Sequence, residues 1–200
     1  MATGFNISTF KERGLLQGGA RPALFEVYLT IPDGVGATAG SDDKFRFTCR
    51  AAQLPAATVG TIEIPYFGRK IKLSGDRTFT DWTVTVMNDE DFLVRSMFEK
   101  WTNSLNRLEA NLRDGNYAGD ETSYKAVMNV IQYGKSGEPI RAYDIIGAFP
   151  SAVDAITLDW DTTNQIETFQ VTFAYDYWLP AAELESVNAY YGDATSPVST

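Results

Sequence analysis

The chain has 200 residues, of which 44% are hydrophobic and 13% aromatic, and it carries a formal net charge of −9. It contains no histidine, a single cysteine and no apolar run long enough to predict a transmembrane helix. This composition disfavours histidine-based catalysis or metal binding and excludes an internal disulfide, which suits synthesis in a reducing cytoplasm.

The charge is unevenly distributed along the chain. Residues 1–100 contain 12 Lys and Arg against 12 Asp and Glu, whereas residues 101–200 contain 5 against 14. An acidic surface of this kind disfavours tight binding of DNA phosphates, because such binding requires clustered Lys and Arg.

The first part of the chain predicts an arm, a strand and a loop. Residues 1–20 are rich in glycine and polar residues without a sustained period, which indicates a flexible N-terminal arm. Residues 23–31 alternate between apolar and polar side chains, as in a half-buried strand. Residues 32–43 are dense in Gly and Asp and predict a flexible loop.

The alternation resumes at residues 44–50 and predicts a second strand, with Phe45, Phe47 and Cys49 facing the core. In such a strand Cys49 is a small buried core residue rather than a reactive thiol.

Three further strands are predicted before residue 90. They cover residues 62–65, 67–73 and 79–88, with a turn at Ser74-Gly75-Asp76. Val and Thr enrichment favours strand over helix in residues 79–88.

One amphipathic helix is predicted next, at about residues 89–112. Apolar residues recur there at helical spacing, Asn88 is the expected N-cap, and Asp114-Gly115-Asn116 predicts the end. The acidic run at 88–91 lacks the spacing of a calcium loop, so helix capping is favoured over a metal site.

The remaining strands are predicted at residues 123–133, 140–146, 156–160 and 166–179. Between the first two, the sequence GKSG at 134–137 lacks the upstream glycine that a phosphate-binding loop requires, so it predicts a hairpin turn.

Two carboxylates, Asp159 and Asp161, flank Trp160 and project the same way if that strand continues. Paired carboxylates can perform acid–base chemistry, but acidic residues at the mouth of a hairpin are far more common. Because no nucleophile–base constellation is visible, the sequence predicts a non-enzyme without catalytic, cofactor-binding or metal-binding residues.

These elements predict a mainly β fold, an antiparallel β-sandwich or barrel with one flanking α-helix. The expected organisation is a single domain at 21–179 between the arm at 1–20 and a C-terminal tail at 180–200. The predicted core comprises Trp82, Val84, Val86, Trp101, Trp160, Phe169, Val171 and Phe173.

One long segment is specific enough to indicate a family. GRKIK at 68–72, followed by GDRTFTDWTVTVMND at 75–89, resembles the tail tube protein of contractile-tailed, T-even-like bacteriophages. Further stretches that agree with the family in order are 21–27, 47–56, 158–169 and 176–178. Two departures from the family are the longer loop at 33–43 and the extension at 180–200.

The resemblance implies a β-sandwich with a helix at its side and a structural role in the virion tail, after synthesis in the host cell cytoplasm. Family members form hexameric rings that stack into a hollow tube inside a contractile sheath, through which the genome enters the host. The implied partners are further copies of the chain, the sheath, baseplate, tape measure and tail terminator proteins, and double-stranded DNA in transit without sequence recognition. Neither a cofactor nor a membrane-spanning segment is implied.

In such a tube, strand faces opposite the core are expected to line the lumen. Six subunits at −9 each contribute −54 formal charges per ring, which repel DNA within roughly 8 Å of the wall at physiological ionic strength. The candidate lumen-facing residues are Asp81, Thr83, Thr85, Asp159, Glu167, Thr168, Gln170 and Thr172.

Two other functions remain open from the sequence. The same fold serves as the inner tube of bacterial contractile injection systems, such as type VI secretion or R-type pyocins, and genomic neighbours distinguish these from a phage. A β-sandwich carbohydrate-binding module is the third hypothesis, and it is expected to expose a flat aromatic platform.

Overall fold

The computed structural model describes residues 7–15, 18–112 and 121–181. The helices in these ranges are α1 (Ile7–Gly14), α2 (Ser41–Thr48) and α3 (Leu93–Leu105), with short 3-10 turns at Asp33–Val35 and Glu121–Ser123. The strands are β1 (Phe25–Thr30), β2 (Cys49–Ala52), β3 (Ala57–Tyr66), β4 (Arg69–Phe79), β5 (Trp82–Met87), β6 (Ala126–Tyr133), β7 (Pro139–Val153), β8 (Thr168–Ala174) and β9 (Tyr177–Pro180).

Seven strands form one antiparallel sheet in the order β1-β6-β7-β8-β5-β2, with β9 paired to β7. Strand β7 pairs with β6 and β9 along its first part and with β8 along its second part. Ile145 pairs with Met128 of β6 and with Trp178 of β9, whereas Pro150 pairs with Phe173 of β8. The predicted mainly β, antiparallel fold is confirmed, although the sheet does not close into a barrel. Strands β3 and β4 form a separate two-stranded hairpin.

The core lies between the sheet and α3. The ring centroid of Phe98 lies 5.8 Å from that of Phe173 and 5.6 Å from that of Phe45. The Trp101 indole N–H donates to the carbonyl of Tyr124 at 3.0 Å. Seven of the predicted core residues are buried in this structure: Trp82, Val84, Val86, Trp101, Phe169, Val171 and Phe173.

The core prediction was wrong for Trp160, whose side chain is fully exposed. Residues 154–167 contain no strand, because the chain turns where Thr162 donates its backbone N–H to the carbonyl of Asp159. Trp160 therefore lies on a surface connection between β7 and β8.

The predicted strand at 44–50 was also wrong, because most of it lies in α2. Residues two apart in a helix point in nearly opposite directions. Phe45 is accordingly buried in the core, whereas 72% of Phe47 is exposed. Cys49 follows the helix and is half-buried against the core.

The predicted helix exists but is shorter, spanning Leu93–Leu105 rather than 89–112. Asn88 is not its N-cap, because Asn88 pairs instead with Glu167: its backbone N–H donates to the Glu167 carbonyl at 2.8 Å and its side-chain amide to the carboxylate at 3.0 Å. The Asp91 carboxylate accepts from the backbone N–H of Leu93 at 3.0 Å and so supports the first helical turn. The predicted helix end at residues 114–116 lies outside the described residues.

Several predicted strand boundaries differ from the structure. Strand β3 begins at Ala57 rather than at residue 62, β4 begins at Arg69 rather than at residue 67, and β7 continues to Val153 rather than ending at residue 146. Strand β4 runs through the predicted turn at 74–76, with a register shift opposite Gly60. The predicted long last strand is divided into β8 and β9.

The terminal segments are only partly described. Within residues 1–20, Ile7–Gly14 form α1, a regular element that the sequence did not predict, whereas residues 1–6, 16–17 and 182–200 lie outside the described ranges. The division into an arm, a domain at 21–179 and a tail therefore stays a prediction. Among the described helices, none has the length and apolarity needed to cross a membrane.

Candidate assembly surfaces

Two exposed segments of the protein lie at the two ends of the paired strands β5 and β8. The two strands pair from Trp82 opposite Phe173 to Met87 opposite Thr168, over about 17 Å. The β3–β4 hairpin joins the Trp82 end through Phe79, and the connection at 154–167 enters β8 at the Thr168 end. The hairpin and this connection therefore leave the sheet at opposite ends.

The β3–β4 hairpin has one apolar and one charged face, and nearly all of it is exposed. Residues opposite each other in a ladder share a face. The apolar face consists of Ile62 with Leu73 and Ile64 with Ile71. The charged face includes Lys72, which lies opposite Glu63, and the pair Glu63–Lys70, joined at 2.7 Å.

The hairpin is attached to the body of the protein only near its base, as far as the described residues show. The ring of Phe79 contacts that of Tyr175 at 6.0 Å, and the Trp178 indole donates to the carbonyl of Ala56 at 3.2 Å. From this base the paired strands extend about 30 Å. An isolated two-stranded hairpin is marginally stable in water. We therefore expect another protein surface to cover the apolar face of the β3–β4 hairpin.

The opposite end of the sheet is acidic, and we call residues 89–91 together with 154–167 the acidic end. Residues 154–167 include four Asp and Glu and no Lys or Arg, and residues 89–91 are Asp-Glu-Asp. Exposed apolar side chains accompany these charges: Leu158, Trp160 and Ile166.

A cleft of about 570 Å³ lies at the acidic end. Its apolar wall includes Met87, Phe92 and Ile166, and its polar wall includes Glu90 and Glu167. Phe92 has a left-handed backbone with φ of 52°, which is rare for a bulky residue, and its side chain is exposed.

Lys44 connects the acidic end to α2. Its ammonium group pairs with the carboxylates of Asp89, at 2.5 Å, and Asp91. These hydrogen bonds raise the pKa of Lys44 and lower the pKa of Asp89 and of Asp91. Lys44 therefore partly neutralises the negative charges of Asp89 and Asp91.

A second charged network ties α2 to β1 and β6. The Glu26 carboxylate accepts from Tyr28 at 2.7 Å, from Tyr133 at 2.9 Å and from Arg46 at 3.0 Å. Burial alone would raise the pKa of Glu26, but these three donors together lower it. Arg46 also covers the ring of Tyr28 at 4.5 Å, so α2 is fixed to the sheet edge.

Five of the candidate lumen-facing residues lie together on one face of the β5–β8 pair, opposite the core. Thr83 lies opposite Thr172, with their hydroxyl oxygens 3.2 Å apart, and Thr85 lies opposite Gln170. Thr168 continues this polar row beside Met87. The row forms a surface without strong charge.

The three acidic candidates do not join one cluster. Asp81 precedes β5 at the hairpin end, whereas Glu167 precedes β8 at the other end, next to Asn88. Asp159 lies in the 154–167 connection, where its carboxylate accepts from the backbone N–H of Asp161 at 3.0 Å. Because this contact bends the chain, Asp159 and Asp161 are not neighbours on one strand face.

From the sequence, Lys70 and Lys72 are expected to point opposite to Ile71 and Leu73, but neither the pairing of this strand with β3 nor the cleft was predicted. The alternation of Ile62 and Ile64 with Glu63 could have indicated the matching faces of β3. The cleft depends on the fold of two connections and leaves no comparable pattern. In the described part of the chain, His, Cys, Asp and Glu side chains form no group of three or more suited to a metal ion.

Comparison with known sequences gives a consistent result. Residues 20–181 match the family model described as phage tail tube protein. The chain is 39% identical to tail tube protein gp19 of Enterobacteria phage T4 over 160 residues, covering 80% of this chain and 90% of that protein. Identity to the corresponding protein of Enterobacteria phage T6 is also 39%, with the same coverage.

Solved structures of low sequence identity share the fold. A chain of the anti-feeding prophage baseplate superposes with a TM-score of 0.59 at 12% identity, covering 81% of this chain and 95% of that chain. A chain from the sheath–tube complex of an extracellular contractile injection system gives a TM-score of 0.52 at 16% identity, covering 90% and 99%. At these identities the likeness concerns the fold alone.

Proposed function

Because this chain belongs to the phage tail tube protein family, we propose that six copies form a ring and that rings stack into a hollow tube conducting double-stranded DNA. The protein is a structural tail tube protein of the virion tail, not an enzyme, since its homologues are structural tail tube proteins. Sequence identity of 39% to phage proteins favours a phage tail over a bacterial injection system, since two solved chains of an extracellular contractile injection system share 17% and 16% identity with this chain.

The observation that carries the assembly proposal is the exposed apolar face of the β3–β4 hairpin. Ile62, Ile64, Ile71 and Leu73 lie side by side there, each close to half exposed, and the described part of the same chain does not cover them. A contiguous apolar surface on an extended hairpin marks a protein contact. In a ring of identical copies, such contacts are repeated and closed.

The free edges of the sheet support a ring as well. β1 and β2 occupy the two ends of the main strand order, and β9 ends the branch from β7. Unpaired strand edges are templates for pairing with another chain, and closure of a ring removes them. We therefore propose that sheets of neighbouring subunits join around the tube.

We further propose that the polar row on β5 and β8 faces the lumen, accompanied by Asp81, Asp159 and Glu167. The row is opposite the core and rich in hydroxyl and amide groups, so a water-filled channel suits it. The net charge of −9 per subunit would keep DNA from adhering to the wall. A tube map with all three acidic residues on the outer wall would refute the assignment.

The sheath, baseplate, tape measure and tail terminator proteins are the proposed partners of the tube. We also propose that residues 1–20 and 180–200 are an arm and a tail outside the domain at 21–179. Proteins of this fold occur in a sheath–tube complex and in a sheath/tube terminator of contractile injection systems, which supports the proposal by analogy of fold.

A pair of hairpin substitutions tests the assembly proposal. The Ile62→Asp/Ile71→Asp variant places two charges on the apolar face and should prevent ring and tube formation while circular dichroism stays native. The control Lys72→Ser changes the opposite face and should still assemble. Unimpaired assembly of the double-Asp variant would refute a role for this face.

A further inference from the structure

The tip of the β3–β4 hairpin carries an aromatic residue that its turn does not favour. Phe67 and Gly68 have φ of 44° and 81°, and a two-residue turn with both values positive normally places Asn, Asp or Gly first. For a residue with a Cβ, this conformation costs roughly 1–2 kcal/mol. Yet 91% of Phe67 is exposed, and its ring meets Tyr66 edge-on at 4.6 Å.

The cleft at the acidic end has the size and lining to receive this tip. Its volume of about 570 Å³ is in the range of binding pockets, and Met87, Phe92 and Ile166 supply apolar wall. Phe92 is, like Phe67, an exposed aromatic residue in the left-handed region. Strained residues of this kind concentrate at functional sites.

The charges of the two surfaces are complementary. Residues 57–79 contain Arg69, Lys70, Lys72 and Arg77 against Glu63 and Asp76, a net charge of +2, whereas residues 154–167 have a net charge of −4. At the acidic end, Lys44 is paired with Asp89 and Asp91, and Arg95 with Glu99 at 2.8 Å and with the carbonyl of Asp154 at 2.5 Å. Lys44 and Arg95 therefore do not neutralise the carboxylates of residues 154–167.

We propose that Phe67 of one copy inserts into the Met87–Phe92–Ile166 cleft of a second copy, with Arg69 reaching Glu90. This rests on the proposed tube function and names the surface that the hairpin tip contacts. Because the base of the hairpin and the cleft lie at opposite ends of the β5–β8 pair, each copy gives its tip to one neighbour and receives the tip of another. The contact is heterologous and head-to-tail, so it repeats from copy to copy.

Disulfide trapping between two single-cysteine proteins tests the contact. In a Cys49→Ala background, protein carrying Phe67→Cys is mixed with protein carrying Ile166→Cys, assembled and oxidised with diamide. Two thiols lose two protons and two electrons to diamide and form one disulfide, and the expected product is a 67–166 dimer. The control Leu108→Cys is equally exposed but lies beyond α3, a helix of about 20 Å, and should give no dimer with position 67.

The outcomes separate the contact from the proposed function. Wild-type tubes in the microscope without a 67–166 dimer would overturn the contact and leave the tube function standing, whereas absence of any ring or tube would overturn both. Dimers linked 67–67, or a cross-link from position 67 to the sheath protein in assembled tails, would assign the hairpin tip to another surface and overturn the contact.

If a cysteine variant does not fold, charge reversal tests the contact between the hairpin tip and the cleft. Arg69→Glu should reduce the mean size of the assemblies at least tenfold, and mixing it with Glu90→Lys should restore assemblies in which the two variants alternate. Normal assembly by the Arg69→Glu variant, or failure of the mixture to restore it, would overturn the contact.

Discussion

The Asp176 side chain occupies the space next to Gly147 in which any other residue would place its Cβ. A Cβ on Gly147 would lie 2.7 Å from Cγ of Asp176, and closer still to the carboxylate. Gly147 also has a left-handed φ of 72°, at the point where β7 passes from pairing with β6 and β9 to pairing with β8. Asp176 is held there by its backbone bond to the Ile146 carbonyl at 3.0 Å and by Lys125 at 2.9 Å.

The first prediction concerns this bend. Gly147→Ala should lower the free energy of unfolding by about 2–4 kcal/mol, since it adds a steric conflict with Asp176 to the backbone cost of a positive φ. The matched control is Gly137→Ala, which has φ of 85° but open space around it and should lose only about 1 kcal/mol. Urea unfolding of both variants measures the difference, and equal losses would contradict the packing argument.

The second prediction contrasts two tryptophans. Trp101 is buried and donates to the Tyr124 carbonyl, so Trp101→Ala should cost about 3–5 kcal/mol of folding stability. Trp160 is fully exposed, so Trp160→Ala should change monomer stability by less than about 0.5 kcal/mol. Thermal unfolding compares them, and a large loss for Trp160→Ala would show that this indole is part of the core.

These two residues also show what could be predicted from the sequence. Alternation on a regular strand was sufficient for β5, whose Trp82, Val84 and Val86 are buried in turn. It failed for Phe45 and Phe47, because seven residues of alternating polarity do not distinguish a strand from a two-turn helix whose orientation is set by tertiary contacts. The alternation also gave the wrong position for Trp160, because the backbone turns between Asp159 and Thr162. No Gly or Pro in this stretch indicates the turn.

The site was harder to predict than the fold. The polar faces of β5 and β8 follow from a two-residue period, so the Thr83–Thr172 row could be expected. The β3–β4 hairpin was divided by the turn expected at Ser74-Gly75-Asp76, although there the ladder only shifts register opposite Gly60. Gly75 is at this shift in close backbone contact, since a Cβ would lie 3.1 Å from the Gly60 carbonyl oxygen.

The third prediction is a pH dependence from Glu26. Its pKa is lowered below the usual 4.5, so the unfolded state binds more protons, and the stability that Glu26 provides is present above pH 4.5 and lost as the pH falls through the folded value. Glu26→Gln should therefore be less stable than the wild type by about 1 kcal/mol at pH 7, after allowance for solvent screening. Urea unfolding from pH 3 to pH 7 measures the gap, which should close at the acid end. A gap that is constant across this range would contradict the role of the ionised carboxylate.

The fourth prediction concerns Cys49. Burial raises the pKa of this thiol to about 12, so the native protein should hold almost no thiolate at pH 8. Alkylation by iodoacetamide should be at least tenfold slower in the native protein than in denaturant. Leu108→Cys in a Cys49→Ala background is the exposed control and should react quickly in both conditions. Fast native labelling of Cys49 would show that β2 opens to solvent.

Electron microscopy of the purified protein tests whether this chain closes into rings and stacks into a tube. We expect six-fold rings and hollow tubes, whose image averages show an open channel. A protein that stays strictly monomeric at high concentration, even with the other tail components present, would contradict it.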